Sequence, residues 1–133
     1  MESIVVKRLL FMASGIFIVF SGISIKAHHA NSMYDRASNI TISGVVTRWQ
    51  FINPHAGLWL EVTNETNEAQ EWSAEFQGTL DLYRHFQFNK DTFKPGDTIT
   101  LIGHPARTGG PTISARIVIF SDGTEVDVRS APD

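Results

Sequence analysis

The sequence predicts a mainly β fold of five or six strands, with one short helix between the third and fourth strands. Short segments alternate apolar and polar side chains, which is typical of half-buried strands. Polar turns or turns rich in Gly and Pro separate these segments, as expected between strands. One segment has helical spacing instead, with apolar residues at positions 80, 82, 83 and 86.

The first half of the chain predicts three strands. Residues 40–53 form the longest β-like stretch, and Gly44 interrupts its alternation, which indicates a bulge or a tight bend. Residues 58–63 and 70–76 flank a polar turn. We therefore expect these two segments to form a β-hairpin.

A helix and further strands follow. Residues 78–86 have the helical spacing, and Thr79 is predicted to cap the start of the helix. A Lys-Pro-Gly-Asp turn at residues 94–97 introduces a strand over residues 98–102, and the Gly- and Pro-rich residues 103–111 are predicted to form a loop. Two last strands are expected, over residues 113–120 and 124–128.

The order of these elements indicates an architecture. Three strands, a short helix and two or three further strands are the order of an OB-like barrel, which is a five-stranded, partly open Greek-key structure. A β-sandwich with a similar number of strands is the alternative. The helix favours the barrel, because a helix at this position closes one end of such a barrel.

The beginning of the chain predicts export. Lys7 and Arg8 precede an apolar run without charges over residues 9–25, and Ala27 offers an acceptable cleavage site. This is the pattern of a secretory signal peptide, and an uncleaved membrane anchor is the alternative. We expect a periplasmic protein without a membrane anchor once the leader is removed. The chain has no cysteine, which excludes disulfides, thiolate zinc sites and iron–sulfur clusters.

Cleavage after Ala27 defines the expected organisation of the chain. Residues 1–27 are the leader, residues 28–39 an N-terminal segment, residues 40–129 the barrel domain and residues 130–133 a tail. The formal net charge of the whole chain is -3, and the leader removes three basic residues but only one acidic residue. The mature protein is therefore more acidic than the whole chain, which argues against a nucleic acid as partner.

Several short motifs occur along the mature chain in a characteristic order: His28-His29, Gly44-Val45-Val46-Thr47-Arg48-Trp49, Asn53-Pro54-His55, Trp72, Leu80-Asp81-Leu82-Tyr83 and Lys94-Pro95-Gly96-Asp97. With these motifs the chain resembles a family of small secreted proteobacterial proteins of unknown function. The resemblance covers nearly all of the mature chain and implies the same secreted OB-like β-barrel, without an activity. Ala30 and Asn31 depart from the family, which more often has Ser and Phe after the paired histidines. Ala56 and Gly57 stand where the family tends to place an aromatic residue after Asn-Pro-His.

The histidines are the candidate metal ligands. Cleavage after Ala27 would make His28 the first residue, whose α-amine and ring Nδ1 can bind one metal ion in a chelate ring. A further imidazole gives three nitrogen donors in a T-shaped site that suits Cu(II). The candidates for this donor are His29, His55 and His104, and the last two are favoured because neighbouring side chains alternate in direction on extended backbone.

Other outcomes remain open. Cleavage before Ala27 would make His29 the third residue, a position that also binds Cu(II) through the amine and backbone amides. Paired histidines can also be simply a polar start of the chain. We expect copper as the cofactor if a metal is bound, with His28, His29, His55 and His104 as candidate ligands.

Three functional hypotheses follow. The first is a secreted binding module that holds copper on His28 with His55 or His104. The second is a metal-independent module that binds a small ligand or a protein partner through the barrel face and residues 103–111. The third is a small enzyme that works through His55 and a nearby acid. We expect a binding module rather than an enzyme, with no predicted catalytic residue, and the sequence predicts no oligomeric state.

Overall fold

The computed structural model describes residues 33–129. The predicted leader, His28, His29 and the predicted tail lie outside the described residues. The described part contains one helix and six strands, with these bounds: β1 (Ile40–Gln50), β2 (Gly57–Thr63), β3 (Ala69–Glu75), α1 (Thr79–Phe86), β4 (Thr98–Pro105), β5 (Thr112–Ile119) and β6 (Glu125–Asp127).

Five of the strands close into a barrel. Neighbouring strands pair antiparallel in the order β3-β2-β1-β4-β5, and the barrel closes because residues 73–75 of β3 pair in parallel with residues 112–114 of β5. The short β6 pairs with the second half of β5. The predicted OB-like barrel of five to six strands is therefore confirmed, and α1 lies between β3 and β4 in the chain, as predicted.

The long strand β1 belongs to both halves of the barrel. Its first half pairs with β4 and its second half with β2, and Val45 has a partner in each, Thr98 and Glu61. Gly44 lies at this transition, where a Cβ atom would come within 2.5 Å of the carbonyl oxygen of Glu61. This close approach of two backbones explains the glycine that interrupts the alternation in the sequence.

The core fills the barrel and continues beneath α1. Leu58 and Leu60 of β2 and Leu101 of β4 are fully buried, and Leu82 of α1 joins the same cluster. Aromatic rings extend this cluster through ring–ring contacts among Trp49, Phe76, Phe88, Phe93 and Phe120. Within residues 33–129, no helix has the length and the apolar character that a membrane span requires.

Two local predictions are wrong. Thr79 does not cap α1 with its side chain, because the N-cap residue is Gly78. Instead, the backbone N–H and the hydroxyl of Thr79 both donate to Oδ1 of Asn53, which lies 26 residues earlier in the chain. The predicted loop over residues 103–111 is also too long, since β4 continues to Pro105.

Candidate functional site

A strap, residues 33–39, crosses the outside of the barrel before β1 begins. Tyr34 forms an isolated antiparallel bridge with Ala106, just after β4. The N–H of Asp35 donates to the carbonyl oxygen of Pro105 over 2.8 Å. Backbone hydrogen bonds therefore hold the strap against the end of β4.

A polar cluster lies where the strap meets β3. Ala74 and Phe76 are buried in the core, so the side chain of Glu75 between them points outward. The hydroxyl of Tyr34 donates a hydrogen bond to Oε2 of Glu75 over 3.1 Å, and Oε1 of the same carboxylate lies 3.6 Å from Nδ1 of His55. The cluster thus joins a phenol, a carboxylate and an imidazole from three separate segments.

Tyr34 is the most deeply buried member of this cluster. Its side chain is only 6% exposed, and burial raises the pKa of its phenol above the ordinary value. The hydroxyl therefore stays protonated at neutral pH and remains a donor to Glu75. This bond holds the strap in place beside His55.

His55 has a defined orientation. Its Nδ1 lies 3.1 Å from the carbonyl oxygen of Phe76, and because a carbonyl oxygen can only accept, Nδ1 carries the proton. The lone pair of the neutral ring is then on Nε2, which is the nitrogen free to bind a metal. Metal-binding histidines commonly donate their other N–H to a carbonyl or a carboxylate. With 47% of its side chain exposed, the ring is also accessible to solvent.

His104 has the same type of orientation at the other end of the strap. Its Nδ1 donates to the carbonyl oxygen of Ser38 over 2.8 Å, which leaves the lone pair on Nε2. Of the four predicted ligands, His104 contacts the strap directly, and His55 lies beside Glu75, which binds Tyr34 of the strap. The strap follows His28 and His29 in the chain. In the part of the chain that the structure describes, no three His, Asp or Glu side chains are grouped so that they could hold a metal ion.

A guanidinium group lies next to the polar cluster. Nη2 of Arg129 donates to Oγ of Ser114, and Nε donates to the carbonyl oxygen of Ala115 over 3.0 Å. Ser114 lies opposite Glu75 in the parallel pairing of β3 with β5. Burial, followed by the positive charge of Arg36, lowers the pKa of Arg129 below its ordinary value.

The sequence analysis did not single out Tyr34, Glu75, Ser114 or Arg129. The alternation of side chains along a strand could have shown that Glu75 of β3 and Ser114 of β5 lie on the outer face of the barrel, where Ser114 is only 7% exposed. It could not have shown that they are neighbours, because their parallel pairing joins segments that are far apart in the chain.

Comparison with known proteins gives a family. The sequence model of a protein family, described as "Family of unknown function (DUF6152)", matches residues 17–114. This range includes β1 to β4, the strap and the whole polar cluster. No curated protein matches the chain. The expectation of an uncharacterised family is thereby confirmed: the chain belongs to the family of unknown function DUF6152.

Proposed function

We propose that this protein is a secreted, periplasmic binding module that holds Cu(II) on a processed N-terminal His28, with His55 as the third nitrogen donor. The observation that carries the proposal is the hydrogen bond from Tyr34 to Glu75, the carboxylate beside His55. This hydrogen bond holds Tyr34 near His55, and Tyr34 is only six residues after His28 in the chain.

The length of the connection supports this ligand set. Six residues of fully extended chain span at most about 20 Å. A single carboxylate, Glu75, separates the hydroxyl of Tyr34 from the imidazole of His55, so in this proposal the amine and the ring of His28 reach Nε2 of His55 without displacement of Tyr34. His104 faces the strap at Ser38, ten residues after His28, and is the alternative donor.

The donor chemistry favours copper. The α-amine and two imidazoles are nitrogen ligands that suit Cu(II), which lies at the top of the affinity order of divalent metals. The amine has a reference pKa of about 7.7–8.0, so metal binding near neutral pH displaces its proton. In this proposal the carbonyl oxygen of Phe76 orients the imidazole of His55. Glu75 stays outside the ligand set, where its carboxylate offsets part of the charge of the metal.

The decisive experiment changes the N-terminus. Cu(II) affinity is measured by competition with a chelator of known affinity, together with the electron paramagnetic resonance spectrum. The protein that begins at His28 is compared with a form that carries Gly-Ser-Gly ahead of His28. A single added residue is a poor control, because it would place His29 third, where the amine and amides bind Cu(II) in a different way.

We expect the Gly-Ser-Gly extension to weaken Cu(II) binding by at least about tenfold and to change the spectrum, because the chelate ring of His28 is lost. His55→Ala should cause a comparable loss. His85→Ala is the matched control, since His85 is an exposed residue of α1, and should leave the affinity unchanged. If the extension changes neither affinity nor spectrum, the N-terminal site is refuted. If His104→Ala causes the loss and His55→Ala does not, the third donor is His104.

Secretion has a separate test. The protein is expressed with its complete leader in a Gram-negative host, and the mass of the species in the periplasmic fraction is determined. We expect a chain that begins at His28. A cell-associated protein that keeps residues 1–27 would instead support the membrane anchor.

A further inference from the structure

We propose that the protein has a second binding site, for a small oxyanion, formed by Arg116 and Arg129 on the outside of the barrel with Arg36 of the strap beside them. The ligand class is a phosphate or carboxylate group. This site goes beyond the copper proposal and does not depend on it.

The backbone of β5 directs Arg116 toward this region. The register of β4 against β5 shifts so that Ile102 pairs with Ile117 and Gly103 with Ala115, which leaves Arg116 as an extra residue on β5. Such bulges redirect side chains and are frequent next to binding sites. Nη1 of Arg116 donates to Oδ1 of Asn39 over 3.3 Å. The side chain therefore extends to the end of the strap.

Arg129 reaches the same region from the end of β6. The N–H of Val128 donates to the carbonyl oxygen of Arg116 over 2.7 Å, so Arg129 follows a residue that is paired directly with Arg116. Its guanidinium then binds Ser114, which precedes Arg116 by two residues on β5. Arg116 of β5 is thus oriented by Asn39, and Arg129, which follows β6, is oriented by Ser114 and Ala115 of β5.

The groups that orient these arginines are neutral. Arg116 donates to a side-chain amide, and Arg129 donates to a hydroxyl and a backbone carbonyl. These acceptors orient the guanidinium planes without neutralising them. A guanidinium carries five N–H donors in a planar fork that matches the oxygens of carboxylate and phosphate groups.

The local charge is consistent with an anionic ligand. Arg36 and Arg116 both lower the pKa of Arg129, after burial, which is the effect of like charges held close together. Glu75 opposes this effect on the pKa of Arg129, and Asp127 accepts the backbone N–H of Arg129 over 2.9 Å. The region therefore brings three guanidinium groups together with two carboxylates, in a chain whose formal net charge is -3. A bound oxyanion would relieve the repulsion between the arginines.

The test uses metal-free protein that begins at His28 and follows backbone and arginine Nε–H resonances by NMR. Sodium phosphate and sodium citrate are titrated in separate series at constant ionic strength, and sodium chloride is the reference anion. We expect saturable shifts at the Nε–H of Arg129 and at the N–H groups of residues 114–116. Saturation by phosphate alone assigns a phosphate site, and saturation by citrate alone assigns a carboxylate site. If neither anion saturates these signals beyond the effect of chloride, the proposal is overturned.

Variants localise the binding. Arg116→Gln should lower the affinity for the anion by about tenfold, as expected for the loss of one charge-assisted contact. Arg48→Gln is the control, since Arg48 stacks on the ring of Trp59 at 3.7 Å, and should bind like the parent. Unchanged binding by Arg116→Gln would refute the site. If that variant does not fold, Arg36→Gln replaces it with the same expected loss, because Arg36 lies exposed on the strap.

Discussion

The hydroxyl of Tyr34 donates to Oε2 of Glu75 over 3.1 Å, and this bond joins the strap to a strand residue 41 positions later in the chain. Glu75 in turn lies beside His55 and opposite Ser114, so it is in contact with the candidate metal ligand and next to the arginine site. A single carboxylate therefore connects the strap, the loop before β2 and the closure of the barrel.

Tyr34→Phe should lower the free energy of unfolding by about 1–2 kcal/mol, because the ring stays packed while Glu75 loses a hydrogen-bond donor. The change is measured by urea denaturation. Tyr83→Phe is the matched control, since Tyr83 is 54% exposed on α1, and should remain within about 0.5 kcal/mol of the parent. Equal stability of the two variants would show that the hydroxyl of Tyr34 does not stabilise the fold.

Leu58→Ala should destabilise the barrel by about 2–5 kcal/mol, because Leu58 is fully buried and the substitution leaves a cavity. Leu80→Ala removes the same atoms from a side chain that is 54% exposed on α1, and its effect should be about 0.5 kcal/mol or less. Urea denaturation of both variants checks the difference. A small effect at Leu58 would contradict its place at the centre of the core.

Gly44→Ala should also be destabilising, by about 1–3 kcal/mol, because the new Cβ would lie 2.5 Å from the backbone carbonyl oxygen of Glu61 and the two strands would have to separate. Gly110→Ala is the control, since its Cβ would meet only Oγ1 of Thr108 at 3.5 Å. We expect the control to be neutral or slightly more stable. The thermal midpoints of both variants are measured and compared with that of the parent. An unchanged midpoint for Gly44→Ala would argue against the close approach of β1 and β2.

Acid should weaken the fold through carboxylates that accept hydrogen bonds in turns. The hydroxyl of Ser38 and then the N–H of Ala37 lower the pKa of Asp35, and hydrogen bonds from Asn64 and Thr66 lower the pKa of Glu68. A pKa that is lower in the folded state than in the unfolded chain stabilises the fold above the unfolded value. This contribution is lost as the pH falls through the folded value.

We therefore expect the thermal midpoint to fall as the pH decreases below about 4.5, the upper of the ordinary values of 3.8 and 4.5 for these two groups. Asp35→Asn should show a smaller decrease than the parent over the same range, because it has no carboxylate to protonate at that position. Thermal denaturation between neutral pH and about pH 2 measures both. An identical pH profile for the variant would mean that Asp35 does not contribute.

The sequence by itself determined the local structure. The alternation of β1, β2 and β3 and the helical spacing of α1 depend on residues that are close in the chain. The expected bulge at Gly44 was misplaced, since the register of β1 against β2 shifts between Val46 and Arg48. The order of the elements was sufficient to predict the barrel, and the single helix distinguished it from a sandwich. The histidines could also be chosen as candidate ligands from their chemistry and their positions in the chain.

Only the tertiary structure decided which of these residues are neighbours. The parallel pairing of β3 with β5 places Glu75 opposite Ser114, and the strap brings Tyr34 to Glu75. The side chain of Asn53 accepts the N–H of Thr79, the first residue of α1. These contacts join segments that are 26 to 41 residues apart. Such contacts depend on how the whole barrel packs and closes, whereas alternation and spacing report only which face of its own element a residue occupies.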